Sequence, residues 1–125
     1  MRKRSFRFDV RGATALEFAL CAPPFFMLVM GIVEVGLLVW MQIALQQGVE
    51  AAARCASINV NSCASNTQIQ AYASAQTYGL APPASTFTVT TPACGHMVQA
   101  SYTPNFLPSF PIPTRTLTAQ ACFPI

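Results

Sequence analysis

From Phe18 to Leu45 the chain is apolar apart from Glu34, Gln42 and the Pro23-Pro24 pair. An apolar run this long predicts a membrane-spanning helix. From Ala13 to Leu45 such a helix would be about 50 Å long, against a bilayer core of about 30 Å. It is therefore expected to leave the membrane and continue. Met41 to Ala56 supplies the helix formers for this: Gln42, Leu45, Gln46, Gln47, Glu50, Ala51, Ala52, Ala53 and Arg54. The proline pair predicts a kink or a local loosening. Trp40 is placed to sit at the outer interface.

Beyond the helix the pattern changes. Ser57 to Ser65 is rich in Asn, Ser and Cys, which reads as a loop. Asn66 or Thr67 is placed to cap a second helix that runs to Tyr78 and stops at Gly79. Its residues Ile69, Tyr72, Ala73 and Gln76 recur at helical spacing. Ala81-Pro82-Pro83-Ala84 ends it. Phe87, Val89 and Thr91 then alternate as a half-buried strand does, and so do Val98, Ala100 and Tyr102, with Cys94-Gly95-His96 as the turn between them. Pro104 to Pro113 predicts a loop, because proline cannot donate to a sheet ladder. Thr114 to Cys122 predicts a third strand. The expected fold class is α+β: a long N-terminal membrane-spanning helix extending into a small exported domain with a second helix and a short antiparallel sheet. Residues 1–12 form a basic cytoplasmic leader, 13–45 the transmembrane helix, and 46–125 the exported helix extension and small domain.

Charge sets the direction. The chain has 125 residues, of which 9% are charged, with a net charge of +3. Arg2, Lys3, Arg4, Arg7 and Arg11 crowd the start, with Asp9 against them, and after Arg54 the single charged side chain is Arg115. A basic head just before an apolar run is a membrane-orientation signal, and a nucleic-acid arm is the weaker alternative. The expected topology is a single pass through a membrane, with the N-terminus cytoplasmic and the C-terminal domain exported.

Cysteine use agrees with export. Cys55, Cys63, Cys94 and Cys122 lie beyond the apolar run, and four cysteines in a small exported domain read as two disulfides. Three pairings are open. The favoured one joins Cys55 to Cys63, closing a short loop at the helix end, and Cys94 to Cys122, tying two strands. Two bridges would support a domain of about 80 residues whose core is marginal alone. A zinc site is a poor alternative, since no CxxC pair exists and there is one histidine. Cys21, inside the run, reads as a small apolar filler.

Little in the chain suits catalysis. There is no Asp or Glu after Glu50, and His96 has no carboxylate in its domain to orient it. No phosphate-binding glycine loop and no metal-ligand cluster is present, and the C-terminal part lacks a basic patch for nucleic acid. No enzyme activity, cofactor, metal or small-molecule substrate is expected. Ala44, Gly48, Ala52 and Ala56 form a stripe of small residues at four-residue spacing, suited to close approach of another backbone. The partner is either another subunit or the chain's own domain.

The acids on the helix are the most informative residues. A carboxylate inside lipid costs about 2.5 kcal/mol or more at a helix centre. Glu17 stands at the entrance of the run, in the order Arg11-Gly12-Ala13-Thr14-Ala15-Leu16-Glu17-Phe18. A basic leader, a glycine, a glutamate five residues on and then an aromatic residue resemble the processing junction of type IV prepilins. Together with Gly31-Ile32-Val33-Glu34-Val35-Gly36 and Ala52-Ala53-Arg54-Cys55-Ala56, the first 57 residues are similar to the TadE-like pseudopilins of tight-adherence (Flp) pilus systems. The resemblance implies a prepilin peptidase that cuts between Gly12 and Ala13. It implies that Glu17 neutralises the new Ala13 amine, with Phe18 beside it. It also implies other pilins and the pilus assembly platform as partners. Glu34 is a family-matching position of unassigned role. The competing reading is an uncleaved, signal-anchored envelope protein whose exported domain binds a surface or wall component. A small adhesin released by signal peptidase is weaker still, because a cut after the run would discard the continuing helix.

Overall fold

The computed structural model describes residues 10–59, 61–105 and 115–124, with side chains from residue 12 onward. Arg2, Lys3, Arg4, Arg7, Asp9, the Arg11 side chain and residues 106–114 of the proline-rich stretch lie outside the described residues. The elements in chain order are α1 (Val10–Ile58), α2 (Asn66–Ala75), a 3-10 turn (Ala84–Thr86), β1 (Phe87–Thr90), β2 (His96–Tyr102) and β3 (Leu117–Phe123). The fold is α+β. Two compact units divide the chain after Leu37.

In the first unit α1 is a bare apolar helix. Phe18, Leu20, Phe25, Phe26, Met27 and Ile32 each leave more than 60% of their surface exposed. A helix apolar all round is at home in lipid or inside an assembly. Pro23 and Pro24 lie inside α1, whose helical assignment runs through them unbroken. The Ala19 and Leu20 carbonyls cannot receive the usual amide from four residues on, because proline has none.

In the second unit the remainder of α1 shares one core with α2 and the sheet. Leu45, Val49, Ala52 and Ala53 are buried together with Ile69, Ala73, Phe87 and Val98. Each large side chain among them contributes about 1.5–3 kcal/mol by leaving water. The sheet is antiparallel, in the order β1-β2-β3. Its register places Phe87, Ala100 and Ala119 in one row and Val89, Val98 and Ala121 in another, so the apolar set shares one face. Thr88, Gln99 and Gln120 form a polar row on the other face.

The small-residue stripe belongs to this core. Ala44 and Ala52 are fully buried and Ala56 is 5% exposed. A Cβ on Gly48 would lie 2.8 Å from Thr77 Cγ2 and 2.9 Å from the Ala73 carbonyl oxygen. Of the two partners open to the stripe, the chain's own domain is the one found. The physical reason is that Thr77 and Phe87 occupy the groove that glycine opens.

Local chemistry shifts three boundaries from those expected. Ser65, and not Asn66 or Thr67, caps α2: its Oγ accepts from the Gln68 amide at 3.4 Å, and Gln68 Oε1 accepts from the Ser65 amide at 3.2 Å. This reciprocal box needs a residue three positions before Gln68. α2 ends at Ala75 because Thr77 turns inward. It is fully buried, donates to the Ser74 carbonyl at 2.7 Å and accepts from the Ala81 amide at 3.1 Å. His96 is the first residue of β2, opposite Phe123, and not part of the turn. The turn itself needs Gly95, whose φ is +120° and where a Cβ would lie 2.1 Å from the Phe123 carbonyl oxygen. The disulfides join Cys55 to Cys63 and Cys94 to Cys122.

Replacing Gly48 by Ala forces two contacts under 3.0 Å, one of them with backbone. We expect Gly48→Ala to cost about 1–3 kcal/mol. The measurement is denaturant unfolding of the full chain in detergent, and an unchanged midpoint would contradict the packing described.

Candidate functional site

The candidate site is α1 itself, read from its start. Gly12 lies in the first turn, exposed, with nothing within 4 Å of where a Cβ would sit. Ala13 is exposed beside it, and Glu17 and Phe18 follow, both exposed, Phe18 by 72%. Glu17 is four residues beyond Ala13, hence one turn along and on the same face. Glu34 is half-buried within the apolar run. The sequence carries no Lys or Arg from Gly12 to Ala53, so no basic side chain of this stretch is there to neutralise either acid.

Around Phe18 the helix surface is aromatic. Phe18, Cys21, Ala22, Phe25 and Phe26 border an apolar depression of about 260 Å³, with the Phe25 and Phe26 rings edge-on at 5.7 Å. Cys21 is an exposed free thiol. Phe18 to Leu37 would span about 30 Å as a helix, the thickness of a bilayer core. Among the described residues, α1 is the one helix long and apolar enough to cross a membrane, which is compatible with membrane anchoring.

The second unit presents the far part of α1 on a fixed platform. Gln42 Nε2 donates to the Thr118 carbonyl at 2.8 Å and Gln46 Nε2 to the Gln120 carbonyl at 3.4 Å. Residues four apart on a helix rise about 6 Å and residues two apart on a strand about 6.7 Å, so the two ladders match. The Phe87 carbonyl of β1, the opposite edge strand, receives Gln70 Nε2 at 2.7 Å. Side-chain amides thus cover both edges of a sheet that would otherwise invite further strands. Sequence reasoning counted Gln42 and Gln46 only as helix formers. Their spacing, beside the buried Leu45 and Val49, was the available signal.

One face of this part of α1 stays open. Gln47, Glu50, Ala51, Arg54 and Ile58 border a depression of about 560 Å³ that Tyr72 of α2 closes on one side. Glu50 accepts from Gln46 Nε2 at 3.0 Å, while the Arg54 guanidinium lies 5.4 Å from the Phe123 ring centre. Arg54 thus rests on an aromatic ring while the carboxylate one turn before it is engaged by Gln46. Among the described residues no group of three His, Cys, Asp or Glu side chains could hold a metal ion.

Among the described residues, a long apolar helix and a small disulfide-linked α+β domain define the class of fold. Residues 12–54, the stretch of α1 that carries Gly12, Glu17, Glu34 and Arg54, match the family model described as TadE-like protein. No curated protein and no solved structure matches the chain.

A helix that crosses the bilayer keeps Cys21 out of water. We expect a water-soluble maleimide to leave Cys21 unlabelled in intact membranes and to label it after denaturation in dodecyl sulfate. Rapid labelling in sealed membranes would contradict the span.

Proposed function

We propose that this chain is a minor pilin or pseudopilin of a Tad pilus, cut after Gly12 by a prepilin peptidase and held in the pilus or its assembly platform through α1. The observation that carries this reading is the family match beginning at Gly12, at the head of a helix whose exposed surface is apolar and whose first acid is Glu17. The TadE-like pilin family is structural rather than catalytic. In this reading residues 1–12 remain in the cytoplasm as the leader, 13–45 cross the inner membrane, and 46–125 stand in the periplasm.

The chemistry follows from the order of residues. Gly12 presents no side chain to the peptidase, and nothing lies within 4 Å of where its Cβ would sit, which leaves the Gly12–Ala13 bond open to approach. Cleavage creates an ammonium on Ala13. Glu17, one turn on, neutralises that cation or the one of a neighbouring subunit. A paired carboxylate at the lip of the apolar run avoids most of the cost of an isolated one. Phe18 sits beside this pair as part of the aromatic rim. The partners are the peptidase, other pilins or pseudopilins, the assembly platform and the membrane.

Mass spectrometry of the chain from cells that carry the peptidase is expected to give a mature form starting at Ala13, and Gly12→Val is expected to leave the leader attached. A native chain that keeps Met1 in such cells would refute the reading. Glu17→Ala is expected to insert in the membrane normally and yet to lose incorporation into the pilus fraction by about tenfold or more, the scale of removing one partner of a poorly solvated charge pair.

A further inference from the structure

The C-terminal unit has an end marked by the chain itself. Leu38 opens that unit directly after the apolar run, so this is the end at which the chain arrives from lipid when α1 spans a membrane. Within the unit β3 runs alongside α1 in the same direction. Gln42 bonds the Thr118 carbonyl, Gln46 the Gln120 carbonyl, and Ser57 Oγ the Phe123 carbonyl at 3.4 Å. The start of β3 and the end of β2, where Leu117 stands opposite Tyr102, therefore lie at the arriving end. Thr103 and Thr116 carry the pairing one step further, their hydroxyls 3.2 Å apart. The next residue back along the chain is Arg115.

The chemistry of this end is that of a bilayer surface. Val39, Trp40 and Ile43 of α1 are all exposed. Trp40 is the one tryptophan of the chain. An indole suits the boundary between acyl chains and headgroups, where its ring is dry and its N–H is wet. Arg115 is exposed, and among the described residues it makes no hydrogen bond or ion pair. The one acid in the sequence of this unit is Glu50, two turns beyond Gln42 and engaged by Gln46. Trp40 stands about 3 Å along α1 from Gln42, and the chain can carry Arg115 no more than about 11 Å from Thr118. An indole and an uncompensated cation thus flank the bond that joins α1 to β3.

We propose that this end of the domain rests on the membrane surface, with the Arg115 guanidinium on the phosphates of phospholipid headgroups and Trp40 at the level where headgroups meet acyl chains. The phosphates supply the counterion that the domain's own sequence lacks. This second contact, made by β3 and not by the spanning helix, holds one side of the domain toward the bilayer, whereas a helix alone leaves the domain free to turn about its axis. The contact requires the membrane span of α1 and is independent of the cut after Gly12.

The test uses the full chain reconstituted in vesicles of phosphatidylethanolamine and phosphatidylglycerol, with a photoreactive residue in place of Thr116. Illumination is expected to attach a phospholipid to the peptide that carries position 116. The same photoreactive residue in place of Thr90, which stands opposite Met97 at the other end of the sheet, is expected to attach none. Arg115→Gln is expected to lower the lipid adduct at position 116 by about fivefold, the scale of one cation at an anionic surface, and Arg115→Lys to retain it. A link from position 116 to residues 106–114 of the same chain or to a second copy, in place of lipid, would overturn the proposal. So would equal lipid adducts at positions 116 and 90, or an adduct unchanged by Arg115→Gln. Cys21 is probed in the same vesicles with a water-soluble maleimide. A labelled Cys21 refutes the span and the proposal together, and a protected Cys21 with no lipid at position 116 refutes the proposal alone. Neither result depends on the peptidase, which the vesicles lack.

Discussion

The C-terminal domain depends on the close approach of α1 to α2 and β1 at Gly48. The missing side chain there lets Thr77 and the Ala73 backbone come against the helix, with Phe87 behind them. Thr77 is fully buried because its hydroxyl is hydrogen-bonded on both sides, to the Ser74 carbonyl and the Ala81 amide. A polar group that leaves water without such partners would be costly. The helix contact, the end of α2 and the chain reversal before β1 are thus one arrangement and not three.

The rest of the domain serves to keep that small core intact. Two disulfides tie the loop after α1 and the turn before β2, where few buried side chains are available. Three glutamines cap carbonyls on the two sheet edges. Uncharged caps suit a domain with so few ionised groups, and they leave the sheet little capacity to grow by strand addition. α1 offers an apolar surface on its first part and an open, weakly charged face on its last.

Much of this was legible in order and type. The apolar run, the second helix, the alternation of the three strands and the cysteines beyond the membrane segment all depend on local pattern, and the elements found have those types. The family resemblance was legible too, from Gly12, Glu17 and the residues that follow, and the match covers residues 12–54. The boundaries were less so. Ser65 caps α2 through a bond with Gln68 that competes with equally plausible caps one and two residues on. His96 enters β2 because Phe123 stands opposite, a partner 27 residues away in sequence.

By itself the sequence determined that this chain has an apolar rod with acids at defined positions and a small disulfide-linked α+β domain. These follow from hydropathy, helical and strand periodicity and residue spacing, all of which act over a few neighbouring positions. Only the tertiary structure decided that Ala44, Gly48, Ala52 and Ala56 face their own domain, that Gln42, Gln46 and Gln70 close the sheet edges, and that Arg54 rests on Phe123. A small residue or an amide has no partner written into its own neighbourhood. Its partner is set by which distant segment the folded backbone brings within a few ångströms.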